Sequence, residues 1–184
     1  MRPILAAAAA ALAPLLPAAP AAAHVTLDPP QAQAGATLRA AFRVPHGSAG
    51  GAATERLVVT LPEGIVQARP MPKAGWAISI ALAPLEAPVD NGHGGVHTHR
   101  VAEIAWTGGP LPDAHYEEFV VLLRLPPADR AGEALWIPAV QHCAGGATAA
   151  WTEVPEPGRR VTDTRHPAPA IRLLPPRTPR EGGP

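Results

Sequence analysis

The sequence has one cysteine, Cys143, among 184 residues, so no disulfide can form within the chain. This lone thiol either takes part in intermolecular chemistry or, as we expect, is a small, partly buried residue. Aromatic residues make up 4% and charged residues 16% of the chain, and 15 basic residues are balanced by 15 acidic ones. Without a basic excess, the chain offers no patch to nucleic acid or to an anionic membrane surface. It also lacks the Gly-x-Ser-x-Gly, His-Glu-x-x-His and phosphate-loop motifs of common enzyme classes.

Residues 1–23 have the features of a secretory signal peptide. Arg2 gives a short positive region, an apolar run covers residues 4–16, and Ala21-x-Ala23 supplies the small residues that signal peptidase requires. A membrane anchor would need about 20 apolar residues, which is more than this run provides. We therefore predict an exported protein, periplasmic or secreted, that begins at His24 after cleavage and has no membrane span.

The rest of the chain is rich in turn-forming residues, with 25 prolines and 17 glycines. Apolar alternation with a period of two fills the gaps, which is typical of half-buried strands. In residues 37–44, for example, one face holds Leu38, Ala40, Phe42 and Val44. Strands are predicted at residues 24–27, 37–44, 54–61, 77–82, 101–106, 119–125, 135–140, 149–154 and 171–174. The pattern predicts an all-β protein: an antiparallel β-sandwich of the immunoglobulin or cupredoxin type over residues 24–175, followed by a disordered Pro-rich tail at 176–184.

Two further sets of side chains have the chemistry to bind a cation. Glu55 has the same parity as Leu57 on its predicted strand. It lies either beyond the strand's end in water or near the edge of the core, where a carboxylate needs a cationic partner. The glycine-rich segment 90–99 contains His93, His97 and His99, which form either a second metal site or a solvated, flexible loop.

His24 would have unusual chemistry as the first residue of a processed chain. Its free α-amine and its imidazole Nδ1 could close one chelate ring on a single metal ion, whereas the backbone nitrogen of an internal histidine is tied up in an amide. Cu(II) prefers tetragonal nitrogen and oxygen donors and stands at the top of the divalent affinity order. The sequence has no Met-rich stretch and no paired cysteines, the soft ligands that favour Cu(I). These features predict a Cu(II) site that depends on cleavage after Ala23.

Several short segments occur in a characteristic order between residues 24 and 153. They are HVTLDP at 24–29, RVP at 43–45, LPEG at 61–64, PMPKAGW at 70–76, IAWTGG at 104–109, LPDAHYEEF at 111–119, and WTE at 151–153 behind Gln141. No single segment is specific, but the ordered set resembles the YcnI-like copper-binding domain family across nearly the whole exported domain.

The resemblance implies a β-sandwich that binds Cu(II) through a mono-histidine brace. His24 would supply amine and imidazole nitrogens, Glu55 a carboxylate oxygen, and Trp151 would close the site. Trp136 is the competing tryptophan. The resemblance also implies a second cysteine near position 48, where this chain has serine, so a bridge from there to Cys143 that would pin the Glu55 loop is lost.

We predict that the protein is not an enzyme and acts in copper homeostasis or delivery. Its partners would be the copper ion and a membrane copper transporter or a cuproenzyme-assembly protein. One alternative is a copper-dependent oxygenase, which also uses an N-terminal histidine but normally needs a second brace histidine and an aromatic-rich surface for glycan. The other is a metal-independent interaction module in which His24 is incidental.

Overall fold

The computed structural model describes residues 24–47, 50–156 and 158–176. The predicted signal peptide, Ser48 and residues 177–184 of the predicted tail lie outside these ranges. Within these ranges the chain forms twelve strands: β1 (Thr26–Asp28), β2 (Gln31–Gln33), β3 (Thr37–Val44), β4 (Thr54–Thr60), β5 (Ala68–Pro70), β6 (Trp76–Asp90), β7 (Val96–Leu111), β8 (Glu117–Arg124), β9 (Ala134–Trp136), β10 (Ala139–Cys143), β11 (Thr148–Trp151) and β12 (Ala170–Leu174). The helical content of these ranges is three short 3-10 helices, Ala128–Arg130, Ala144–Gly146 and Val161–Asp163.

The strands form two main sheets and one small sheet. The first sheet has the order β1-β3-β8-β5, and the second has the order β11-β10-β4-β7-β6. All pairings within these two sheets are antiparallel. The small sheet has the order β2-β12-β9, and its β2–β12 pair is parallel. The predicted all-β antiparallel sandwich is therefore confirmed, with one parallel pair added outside its main sheets.

The core lies between the inner faces of the two main sheets. Phe119 of the first sheet meets Trp106 of the second with ring centroids 5.3 Å apart, and both residues are fully buried. Phe119 also makes an edge-on contact with Trp76, with centroids 4.9 Å apart. Because burial of apolar surface is the main favourable term in folding, this shared core fixes the two sheets against each other.

The observed β3 has the predicted boundaries and the predicted inward face. Ala40, Phe42 and Val44 are completely buried, whereas Arg39 is exposed. Arg43, on the outward face, forms an ion pair with Glu118 across the β3–β8 register, at 3.1 Å. Cys143 is a buried free thiol, in line with the small, partly buried residue expected from the sequence.

The long β6–β7 hairpin differs most from the sequence prediction. A strand at 77–82 and a glycine-rich loop at 90–99 were expected, but β6 runs to Asp90 and β7 begins at Val96. His97 and His99 therefore lie on a strand, and only His93 lies in the connecting turn. Within the described residues, no helix is long and apolar enough to cross a membrane.

Candidate metal centre

His24 lies two residues before β1, at the edge of the first sheet, and is half-buried. Its ring Nε2 is 3.2 Å from the backbone carbonyl oxygen of Arg165. A carbonyl oxygen can only accept a hydrogen bond, so Nε2 carries the proton and donates it. In the neutral ring the lone pair is then on Nδ1, the nitrogen nearer the backbone. Among the described residues, Nδ1 has no hydrogen-bond partner, and it is the ring nitrogen that a brace with the α-amine requires.

Arg165 is itself held by a residue that the sequence analysis did not single out as a functional side chain. Its backbone N–H donates to Oε2 of Glu153, at 3.0 Å. Glu153 follows Trp151 by two residues and is half-buried. The contact between His24 and Arg165 spans 141 positions in the sequence. Spacing and periodicity cannot predict a contact between residues so far apart in sequence. The only signal for Glu153 was its place in the WTE segment that resembles the family.

Glu55 lies on β4, but it does not face the core. In the β4–β10 pairing, Arg56 pairs with His142 and Thr54 with Cys143, so Glu55 is the extra residue of a β-bulge. Thr54 takes the inward position and is completely buried, whereas Glu55 is exposed. Although Glu55 and Leu57 have the same parity, they do not share a face, because the extra residue of the bulge shifts the alternation of faces. Glu55 is therefore in water, as one of the two alternatives expected, but on the strand and not beyond its end.

His24 and Glu55 are nevertheless at the same end of the sandwich. In the β1–β3 register Thr26 pairs with Arg43, so the residues before β1 run alongside the end of β3. The carbonyl of His46, just past β3, accepts a hydrogen bond from Gln141 Nε2 at 3.0 Å. The same amide group donates to Thr54 Oγ1 at 2.5 Å, and Thr54 immediately precedes Glu55. Gln141 thus ties the end of β3 to the start of β4.

Trp151 ends β11 and is buried in the core, with 6% of its surface exposed. It pairs with Ala139 on β10, and Ala149 pairs with Gln141. Trp151 and Gln141 are therefore diagonal neighbours, about 7–8 Å apart between backbones in such a pairing. The competing Trp136 is half-buried on β9 in the small sheet, where it pairs with Ala170.

The three hairpin histidines are not gathered into one cluster. His97 Nε2 is 2.7 Å from the side-chain nitrogen of Gln67, and His99 Nδ1 is 3.0 Å from Thr98 Oγ1. His93 and His97 line an open cavity of about 540 Å³ under the hairpin tip. Among the described residues, no group of three His, Cys, Asp or Glu side chains is arranged to hold a metal ion. A brace on His24 needs no such group, because two of its contributions come from a backbone amine and a tryptophan.

Comparison with known proteins places the chain in a family. A family model described as a domain of unknown function, DUF1775, matches residues 24–173. Three solved chains match. One of them is an uncharacterized protein from Nocardia farcinica, described as having an immunoglobulin-like fold. It is 28% identical to this chain with a TM-score of 0.61, and the match covers 83% of this chain and 99% of that one. No curated protein matches the sequence.

The family match starts at His24 and ends within β12, so it includes all the segments on which the sequence resemblance rests. The solved relative independently gives the same class of fold. The chain belongs to the DUF1775 family, which is the YcnI-like family.

Proposed function

We propose that the protein is an exported Cu(II)-binding protein that acts in copper homeostasis or delivery. The α-amine and Nδ1 of His24 hold the metal, Glu55 adds a carboxylate oxygen, and Trp151 closes the site. The YcnI-like family membership is one support for this proposal. The observation that carries it is the hydrogen bond from His24 Nε2 to Arg165.

That hydrogen bond matters because it selects the tautomer and fixes the ring. Histidines that bind metals usually donate their other ring N–H to a carbonyl or carboxylate, which orients the ring and raises its basicity. His24 makes such a contact through Nε2, and the ring nitrogen left for a metal is the one that can share a chelate with the α-amine. Copper bound there would have two nitrogen donors from a single residue, at little entropic cost.

The residues present fit the chemistry of Cu(II). Nitrogen donors from His24 and an oxygen donor from Glu55 are the types this ion prefers. The exposed carboxylate of Glu55 is free to offset the charge of the metal, at the same end of the sandwich as His24. Trp151 is a poor donor, but its rigid ring in the core would exclude water and add a cation–π term.

The structure also bears on the oxygenase alternative. All the aromatic residues fall within the described ranges, and only Tyr116 is exposed, at 65%. Phe42, Phe119 and Trp106 are completely buried. A flat aromatic surface for glycan binding is therefore not formed by this chain. The immunoglobulin-like fold and the family match fit a non-catalytic domain, and we infer that the protein is not an enzyme.

The proposal requires cleavage between Ala23 and His24, because only then is the amine free. A free α-amino group has a pKa of about 7.7–8.0 and must lose its proton to bind metal. Copper affinity should therefore fall as the pH is lowered through this range, since protons compete with the metal.

The test is the Cu(II) affinity of protein exported with its own signal, whose first residue is established by intact mass. We expect His24→Ala to abolish tight binding of one equivalent of Cu(II). His93→Ala is the matched control, because it removes an imidazole from the hairpin turn and should leave the affinity unchanged. Equal affinity in wild type and His24→Ala would overturn the proposal, as would a mature protein that starts elsewhere.

A further inference from the structure

The Glu153 side chain holds Arg165, the residue that contacts His24. The carbonyl of Arg165 accepts the hydrogen bond from His24 Nε2 at 3.2 Å. The amide of the same residue donates to Glu153 Oε2 at 3.0 Å. Glu153 and His24 are thus linked through the two backbone groups of a single residue.

Backbone bonds hold the following part of this segment on the same residue. Glu153 N–H donates to the carbonyl of His166 at 3.0 Å, and Ala168 N–H donates to the carbonyl of Glu153 at 2.9 Å. Ala168 is buried. The peptide that carries the Arg165 carbonyl is therefore fixed on both sides: by the Glu153 carboxylate at the Arg165 amide, and by the Glu153 backbone at the His166 carbonyl. A planar peptide held at both flanks presents its oxygen in one direction.

We propose that Glu153 is a positioning residue for His24: through Arg165 it fixes the direction and tautomer of the imidazole, so that Nδ1 is presented for metal binding. This inference rests on the proposed function, because the presentation of Nδ1 matters only if His24 binds a metal. The carboxylate acts on the ring only through Arg165. Removing a group that orients a metal-binding histidine typically changes metal affinity by about 10–100-fold.

The geometry also separates the role of Glu153 from that of a ligand. Its Oε2 is engaged by the Arg165 amide, and Arg165 stands between it and His24. What the contact needs is an acceptor at that position, not a negative charge. Glutamine supplies a carbonyl oxygen at the same distance from the backbone, so Glu153→Gln should preserve the positioning, whereas Glu153→Ala should abolish it.

The first readout needs no copper. In metal-free exported protein, the Nε2–H of His24 should give a cross-peak in a proton–nitrogen NMR spectrum, because its hydrogen bond slows exchange with water. Glu153→Ala should lose this cross-peak and lose about 10–100-fold in Cu(II) affinity. Glu153→Gln should retain the cross-peak and most of the affinity. Glu156→Ala, which truncates an exposed acid three residues on, should behave as wild type.

A Glu153→Ala variant that keeps the cross-peak would overturn the inference. So would a Glu153→Gln variant that loses as much Cu(II) affinity as Glu153→Ala. If circular dichroism shows that Glu153→Ala does not fold, Glu153→Asp takes its place, because it withdraws the carboxylate by one methylene. It should likewise lose the cross-peak and Cu(II) affinity. Weak copper binding by the wild type would defeat the proposed function, whereas the cross-peak comparison would still decide the role of Glu153.

Discussion

Replacing Gln141 with leucine should destabilise the protein by about 1–3 kcal/mol, because it leaves a buried hydroxyl group without its hydrogen-bond partner. Gln141 is 1% exposed, and its amide group donates to both Thr54 Oγ1 and the carbonyl of His46. Thr54 is completely buried, so water cannot replace its lost partner. His46 is half-buried, and its carbonyl regains a bond to water at small cost. Leucine has a similar volume, so no large cavity adds to the loss.

The assay is urea denaturation of a double-mutant cycle with Thr54→Val. In the Gln141→Leu background, valine removes the unpaired hydroxyl of Thr54. The double variant should therefore lose less unfolding free energy than the sum of the two single variants. We expect a coupling energy of about 1–2 kcal/mol, within the range seen for contacting polar pairs. The denaturation midpoints should move at constant slope, which marks a change in stability alone.

The control is Gln67→Leu, which removes a half-buried amide whose partner is His97 at the second sheet's outer hairpin. Water can reach that site, so the change should cost less than about 0.5–1 kcal/mol, the lower end for an intramolecular hydrogen bond. Strictly additive effects of Gln141→Leu and Thr54→Val would refute the reasoning. So would a Gln141→Leu protein no less stable than Gln67→Leu.

Three further substitutions test separate parts of the account. Glu55→Gln should weaken Cu(II) binding in a competition titration while changing unfolding free energy by no more than about 0.5 kcal/mol, since the residue is exposed; unchanged affinity would remove Glu55 from the site. Trp151→Ala should lower the unfolding free energy by about 3–5 kcal/mol in denaturant, because a buried indole is lost from the core. A loss below about 1 kcal/mol, the typical value for point mutants, would contradict the placement of Trp151 in the core. Arg130→Ala should raise the pKa of Glu133 in an NMR titration, because the guanidinium hydrogen bond lowers that pKa; an unmoved pKa would contradict the pairing.

The sequence was informative where alternation is complete and uninterrupted. The boundaries of β3 were predicted correctly, because its apolar residues occupy every second position and arginines mark the outer face. The β6–β7 hairpin was predicted too short, and the part of β6 that was missed contains Pro84 and Pro88. β6 is the terminal strand of its sheet, and a proline on an edge strand loses no ladder hydrogen bond when its nitrogen faces away from the partner.

The candidate site was only partly predictable. His24 is a candidate from the sequence alone, because it directly follows a predicted cleavage site. The direction of Glu55 could not be predicted, since the bulge at Glu55 is set by pairing with β10 and the sequence of β4 has no local marker such as glycine. The link from Glu153 through Arg165 to His24 joins segments far apart in sequence. Such a link is a property of the tertiary fold and not of any local pattern.

The most direct test of the central claim is the Cu(II) EPR spectrum of exported protein loaded with one equivalent of copper, compared with its His24→Ala variant. We expect a tetragonal signal with nitrogen hyperfine structure in the wild type and its loss in the variant. A wild-type spectrum like that of copper in buffer, or one that His24→Ala leaves unchanged, would contradict a metal centre built on His24.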